Sequence, residues 1–582
     1  MPKEIFPLPF RASLPRPCRS LFPNKSVFQR IVACWERTRR IRHAVKGLNA
    51  CAAASVRASP VLEGAALRLR CDEPTAVQRS ILQRVQKRVV AFGPPPSSTP
   101  REAVLELLKT SDLSSPRPST LAPFKWEKLK LLQEGWPVRP QELTSVCPDV
   151  VRDKFLDPSS FRLSQEEFEA VHGERRLIRP YWDPVLANNR ALRIKFIKAL
   201  AARGLVSFRR RLLSTVGCFF VRKKDSCIRM VLDARRTNQC HKLPPHTALG
   251  SVQAWSALDF DLVDQPPLED EIMADLETDS PELWSASGDL CDSFYQFTCE
   301  AMGEDFGFDY PESACVYDAE FVFEENRWVP VMSDELVFPA FVGLPMGWSW
   351  ALWAMHLTTS EFVSRSSTLW PDPLVVEDRR VAPPLARGHP VAGSYVDNFA
   401  VLGLGKDEVQ RRFQSIVDNF KKSNIALHEL VEPQTGSDPF EHLGTHLHRV
   451  ERRWRPKASR VWRLTLALQG FRELPTAFGW QLRVLIGHVV NVFQLCPMAL
   501  SVLERCYDFV RQHLSESTML WQSVRDELWI LEGLVFLIEV DLSAPWGPVA
   551  FCGDASGAGF ALHTARLTLG ELRSCAAVRE KW

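Results

Sequence analysis

The chain has 582 residues, 45% of them hydrophobic and 24% charged, which fits a globular protein of three or four domains and excludes a wholly disordered one. Its net charge of +3 hides an asymmetry, because residues 1–100 hold 18 Lys/Arg against 5 Asp/Glu and the remainder carries about −10. A basic arm on a mildly acidic body points to an anionic partner, nucleic acid first. The acid-poor run around Arg37, Arg39, Arg40 and Arg42 also suits an organelle transit segment.

Residues 1–90 are basic, with helical stretches such as Ala76 to Val90. The Pro-rich run Gly93 to Pro100 reads as a linker, and Ser114 to Pro123 as a second one. Ordered structure is expected to begin near Phe124-Lys125-Trp126. A helix is predicted from Asn189 to Arg203, with Leu192, Phe196, Ile197 and Leu200 on one face and Gly204 beyond its end. Cys218 to Val221 and Ile228 to Leu232 read as paired strands joined by the charged turn Arg222-Lys223-Lys224-Asp225-Ser226. An acidic insertion, Asp259 to Ser287, and a Pro-rich stretch, Trp370 to Pro390, read as surface elaborations of one domain. A helical region follows from about Ser459 to Val540, and a new strand starts at Val549.

The longest apolar candidate, Phe478 to Leu503, is interrupted by Arg483, His488 and Asn491, so no membrane span is expected. The 15 cysteines are scattered, with no C-x-x-C pair and no Cys/His knuckle spacing. That argues against structural zinc and a disulfide framework, and for the reduced cysteines of an intracellular protein. The compartment is expected to be nucleus or cytoplasm, unless the arm directs the chain to an organelle. Oligomeric state is not legible.

Three segments carry chemistry in order. Asp289-Leu290-Cys291-Asp292-Ser293-Phe294-Tyr295-Gln296 ends a strand on carboxylates. Leu344-Pro345-Met346-Gly347-Trp348-Ser349 turns through Pro and Gly into a helix. Gly393 to Leu402 reads as a β-hairpin with Tyr395-Val396-Asp397-Asn398 at its tip. Upstream, Phe219 to Asn238 contains a Lys-Lys-Asp turn, an Arg on the return strand and Asp233-Ala234-Arg235-Arg236-Thr237-Asn238.

Together these resemble a reverse transcriptase, the RNA-directed DNA polymerase of a retroelement, strongly over residues 190–450 and weakly over 450–582. The resemblance implies an α+β right hand with a palm, fingers and helical thumb, followed by a partial ribonuclease H-like α/β segment. It implies in-line attack of a primer 3′-hydroxyl on a nucleotide α-phosphate, with two Mg²⁺ or Mn²⁺ ions about 4 Å apart. Asp289 and Asp397 would hold the metals, with Asn398 where the family usually has a second Asp. Lys223 and Arg229 would grip the triphosphate. Asp292, Phe294, Met346 and Gly347 would complete the nucleotide site, Phe294 excluding a 2′-hydroxyl and so selecting dNTPs. Met346 stands where retroviral enzymes often have Gln.

His442-Leu443-Gly444-Thr445-His446-Leu447-His448 resembles the family's primer-grip hairpin, implying that role for Leu443, Gly444 and His448. Read as one strand, the same segment would put His442, His446 and His448 on a shared face, as a metal site needs. Gly553-Asp554-Ala555-Ser556 resembles the opening of a ribonuclease H domain, with Asp554 as its first ligand; the 28 residues after Asp554 suggest a truncated, inactive piece in which neither Glu571 nor Glu580 can be assigned.

The expected organisation is therefore a basic, partly disordered region at 1–125, an N-terminal extension and fingers at 126–288, a palm with primer grip at 289–450, a thumb or connection at 451–545 and the ribonuclease H-like segment at 546–582. The expected partners are an RNA/DNA primer-template and dNTPs. The rival reading is a degenerate or domesticated retroelement protein that binds nucleic acid without catalysis.

Overall fold

The computed structural model describes residues 8–9, 16–18, 25–56, 74–110, 121–173, 176–223, 226–260, 282–365, 372–544, 546–547, 549–556 and 559–576. Lys224, Asp225, Glu580, most of the acidic insertion and most of the second linker lie outside them. Helices and sheets are mixed in an α+β manner, in two compact units. One comprises Met1–Ser111, Pro439–His448 and Arg452–Asp541; the other comprises Asp112–Asp438, Arg449–Glu451 and Leu542–Trp582.

The second unit is built on an antiparallel sheet in the order Val391–Tyr395, Asn398–Gly403, Trp284–Leu290, Leu427–Gln434. Helices Ser349–Ser364 and Lys406–Lys422 pack on it. Along the latter, Val409, Phe413, Ile416, Val417 and Phe420 recur at helical spacing and are buried. Phe413 and Phe420 meet Phe399 of the sheet at ring separations of 6.0 and 5.6 Å. Each such side chain stabilises by about 1.5–3 kcal/mol. Asp407 and Glu408 in the first turn and Lys421 and Lys422 in the last complement the helix dipole.

The helix expected near residue 190 spans Arg190–Ala202. Asn189 caps it, its Oδ1 accepting the Leu192 N–H at 3.0 Å. Phe196, Ile197 and Leu200 are fully buried, Leu192 partly. The predicted strand pair is Gly217–Arg222 against Ile228–Asp233, with Val221 opposite Arg229. Its alternation buries both faces: Cys218, Phe220, Met230 and Leu232 enter the main core, and Phe219, Val221 and Val231 form a smaller cluster with Met346. Later in the chain, Val549–Ser556 and Gly559–Arg566 form a hairpin with Asp554 opposite Ala561. Glu571 caps the following helix through Thr568.

In the first unit, helices Lys25–Val56 and Pro100–Thr110 pack with the helices of residues 458–534, and Ala76–Ala91 packs on Lys25–Val56 and the short helix Val535–Leu537. Ala76–Ala91 begins with a capping box: Thr75 Oγ1 accepts from Gln78 N–H at 3.2 Å, and Gln78 Oε1 accepts from Thr75 N–H at 3.1 Å. The region read as one helical stretch is Ala458–Arg472, Gly479–Phe493, Glu504–Gln512 and Gln522–Leu534, interrupted by the strand pair Thr476–Phe478 and Ser517–Met519. Glu539 is almost fully buried and takes Arg88 at 2.9 Å, Arg455 at 2.6 Å and Arg453. Among the described residues, no helix is long and apolar enough to cross a membrane.

Candidate active site

Register places the first site residues. Asn398 stands opposite Asp289, and His428 opposite Asp289 from the other side, so one cross-strand row holds all three. Directly opposed residues share a face of a sheet. The strand carrying His428 is irregular beyond it, with a register shift and Glu429 at φ 51°. Such bulges re-aim side chains beside active sites.

Asp397 sits in the two-residue turn between Tyr395 and Asn398. Val396 before it has φ 60°, a strained conformation for a β-branched residue. Buried His356 on the packing helix holds it there: its Nε2 faces the Ala248 carbonyl at 2.8 Å, and its Nδ1 accepts the Val396 N–H at 3.3 Å. Burial lowers the His356 pKa, consistent with a neutral ring acting as both donor and acceptor. The Asp397 carbonyl accepts the Leu290 N–H at 3.1 Å, tying the hairpin tip to the strand that ends at Asp289. The Asp397 carboxylate accepts Ser293 Oγ at 2.9 Å and Asn398 Nδ2 at 3.1 Å.

Asp289 is less well satisfied. Its Oδ1 is shielded from water and has no hydrogen-bond partner. Its other carboxylate oxygen lies 3.5 Å from His428 Nε2. Burial pushes its carboxyl up to about 7, Asp397 and Glu429 push the same way, and Arg229 opposes them. One ligand atom each from Asp289, His428 and Glu429 lie within 4.8 Å of one another.

The nucleotide-site candidates lie in the same unit. Asp292 has φ 45°, and its two oxygens accept Trp136 Nε1 at 3.0 Å and Lys223 Nζ at 3.3 Å. Lys223, Arg229, Asp292 and Tyr295 line one small cavity. Phe294 is half-buried, and its carbonyl accepts the Leu344 N–H at 3.2 Å, which sets it beside the Pro-Gly turn. Gly347 has φ 117°, and a Cβ there would lie 2.6 Å from the Leu232 carbonyl oxygen, so only glycine fits. Asn238 clamps this turn, Nδ2 donating to the Gly347 carbonyl at 2.8 Å and Oδ1 accepting the Ser349 N–H at 3.0 Å.

Leu443, Gly444 and His448 belong to the other unit. Leu443 at φ 48° and Gly444 at φ 75° form the turn between Phe440–His442 and Thr445–His448. That turn rules out the alternative of one shared histidine face. His442 pairs with Thr445 and Glu441 with His446, so His442 faces away from His446 and His448. Asp554 lies within its strand, opposite Ala561. Trp136, Ser293, His356, His428 and Glu429 were not anticipated. Ser293 adjoins an expected carboxylate, but nothing in the local pattern marks the other four.

No family model and no curated protein matches the chain. A solved foamy viral protease-reverse transcriptase in complex with double-stranded DNA is similar to it with a TM-score of 0.40 and 12% identity, over 79% of this chain and 71% of that one. A likeness of that degree leaves the reading to the residues themselves.

Proposed function

We propose that the chain is a template-directed DNA polymerase of the reverse-transcriptase kind, a right hand whose palm carries Asp289 and Asp397. The observation that carries this reading is the desolvated Asp289 carboxylate, with one oxygen unpartnered, set against the Asp397 hairpin and a hairpin bearing Lys223 and Arg229. A half-buried carboxylate with an unpartnered oxygen is costly to ionise, and a proton or a divalent cation offsets it. Asp289, His428 and Glu429 offer ligand atoms close enough together for such an ion, and Asp397, whose charge acts on Asp289, would join Asp289 in holding it. When bound, two Mg²⁺ or Mn²⁺ ions would activate the primer hydroxyl and offset charge on the leaving phosphate. An imidazole nitrogen suits Mn²⁺ better than Mg²⁺, which prefers oxygen.

The chain's own residues orient and select. Ser293 and Asn398 fix the Asp397 carboxylate. Lys223 rests on Asp292 and would exchange that carboxylate for a triphosphate, a stronger anion. Phe294 would close the space at the sugar C2′, so Phe294→Val should raise the rNTP/dNTP ratio of kcat/KM about tenfold, within the range one pocket group discriminates.

A second reading, nucleic-acid binding without catalysis, draws on Asn398: its amide supplies no charge and occupies one Asp397 oxygen. Primer extension on an RNA template with Mg²⁺ or Mn²⁺ separates the two. The polymerase reading expects dNTP incorporation that falls at least about 10²-fold in Asp397→Ala, with primer-template affinity retained. Absence of incorporation with either metal would leave the binding reading.

A further inference from the structure

In the first unit, helices Lys25–Val56 and Ala458–Arg472 help to frame a cavity of about 270 Å³. One wall is Trp462. Its ring N–H donates to the Phe92 carbonyl at 2.9 Å, and Phe536 meets it edge-on at 5.0 Å, so the indole is fixed. The Arg40 guanidinium lies 4.9 Å from the Trp462 ring centroid. Arg40 is half-buried, its Nε is sealed from water, and it makes no hydrogen bond or ion pair with a described residue. Burial lowers its pKa; Glu36 opposes that, and Arg37 and Arg39 reinforce it.

The other buried charges of this cavity are matched. Glu532 receives Arg472 at 2.7 Å and Gln469 at 2.6 Å, with His43 Nδ1 at 3.3 Å, and His43 also stacks on Trp529. Arg39, exposed, lines the cavity as a second cation, with Glu36 at 3.5 Å and the Trp35 ring centroid at 5.8 Å. The Pro-rich run read as a linker supplies Pro95, Pro96 and Pro100 to the lining.

We propose that this cavity binds a nucleotide, its base on the plane of the Arg40 guanidinium and the proline wall and its phosphate on Arg39 and the guanidinium's N–H edge. A planar guanidinium lying over an aromatic ring leaves its N–H edge for a phosphate fork. Aromatic and arginine planes are also what unpaired bases stack on. The volume lies just below the range of about 300–1,000 Å³ usual for small-molecule sites, which suits one nucleotide rather than two. The excess of Lys/Arg in residues 1–100 favours an anionic ligand. The source is either a free mononucleotide or one residue of a single strand. The inference does not depend on the polymerase reading.

The test is photo-crosslinking of the full chain with 5-iodouridine monophosphate and, separately, with a short single strand containing 5-iodouracil, mapped by mass spectrometry. The expected result is label in the Ala458–Arg472 peptide, reduced about tenfold in Arg40→Gln, the loss that one charge-assisted hydrogen bond corresponds to, and partly restored in Arg40→Lys. Label from the monophosphate identifies a mononucleotide site; label from the strand alone identifies a strand-binding site. Excess uridine monophosphate should compete and inorganic phosphate should not. Absence of label there, equal label in Arg40→Gln, loss of label in Asp397→Ala, or equal competition by phosphate would overturn the proposal.

Discussion

Two carboxylates, one in each unit, are buried to similar effect and treated in opposite ways. Glu539 is ringed by Arg88, Arg453 and Arg455; burial alone would raise its pKa, yet the three guanidiniums hold it below the usual range. Asp289 is also desolvated, but its nearest charges include Asp397 and Glu429, and its carboxyl is pushed up to about 7. The difference separates architecture from chemistry. Glu539 is neutralised by its own chain, whereas Asp289 is left short of positive charge, which in the proposed reading leaves it for a ligand to complete.

Removing a matched charge should cost most. Glu539→Ala removes the anion that Arg88, Arg453 and Arg455 share and should destabilise the first unit by about 3–5 kcal/mol in denaturant unfolding. An effect near zero would break the contrast from the structural side.

A buried histidine gives the next effect. Burial lowers the pKa of His442 to about 4. The unfolded chain therefore binds the proton more readily, so this contribution is fully present above about pH 6.5 and is lost as pH falls toward 4. The loss should reach about 3 kcal/mol, measured as falling stability between those pH values, and His442→Gln should flatten that slope. An unchanged slope would exclude His442 as its source.

The smallest effect has the opposite sign. Asp289→Asn removes like-charge repulsion from Asp397 and Glu429, and should leave stability equal or raise it by up to about 1 kcal/mol while abolishing extension. A clear loss of stability would place Asp289 with Glu539.

What was legible in the sequence depended on range. Asn189, the strand pair around Lys223 and the tip at Asp397 are marked by caps, alternation and turn chemistry within about ten residues of each. Gly347 was legible for the same reason, because a Pro-Gly turn is a local signal. Trp136 reaches Asp292 across 156 residues, and Arg88 reaches Glu539 across 451. No periodicity records such contacts. His428 and Glu429 depend on which strand lies beside Trp284–Leu290 and on a register shift within it, which sequence pattern does not specify. The alternative of a single face for His442, His446 and His448 fails because a turn at Leu443 and Gly444 interrupts the strand.

The central claim is that a divalent cation completes the unpartnered Asp289 carboxylate, with Asp397 as its second holder. Mn²⁺ binding to the full chain, followed by electron paramagnetic resonance, tests it without requiring turnover. The account predicts binding to the parent chain, weakened at least about tenfold in both Asp289→Asn and Asp397→Ala, and tightened in Asn398→Asp, which returns a charge to the site. Mn²⁺ affinity that is the same in the parent and Asp289→Asn would contradict it.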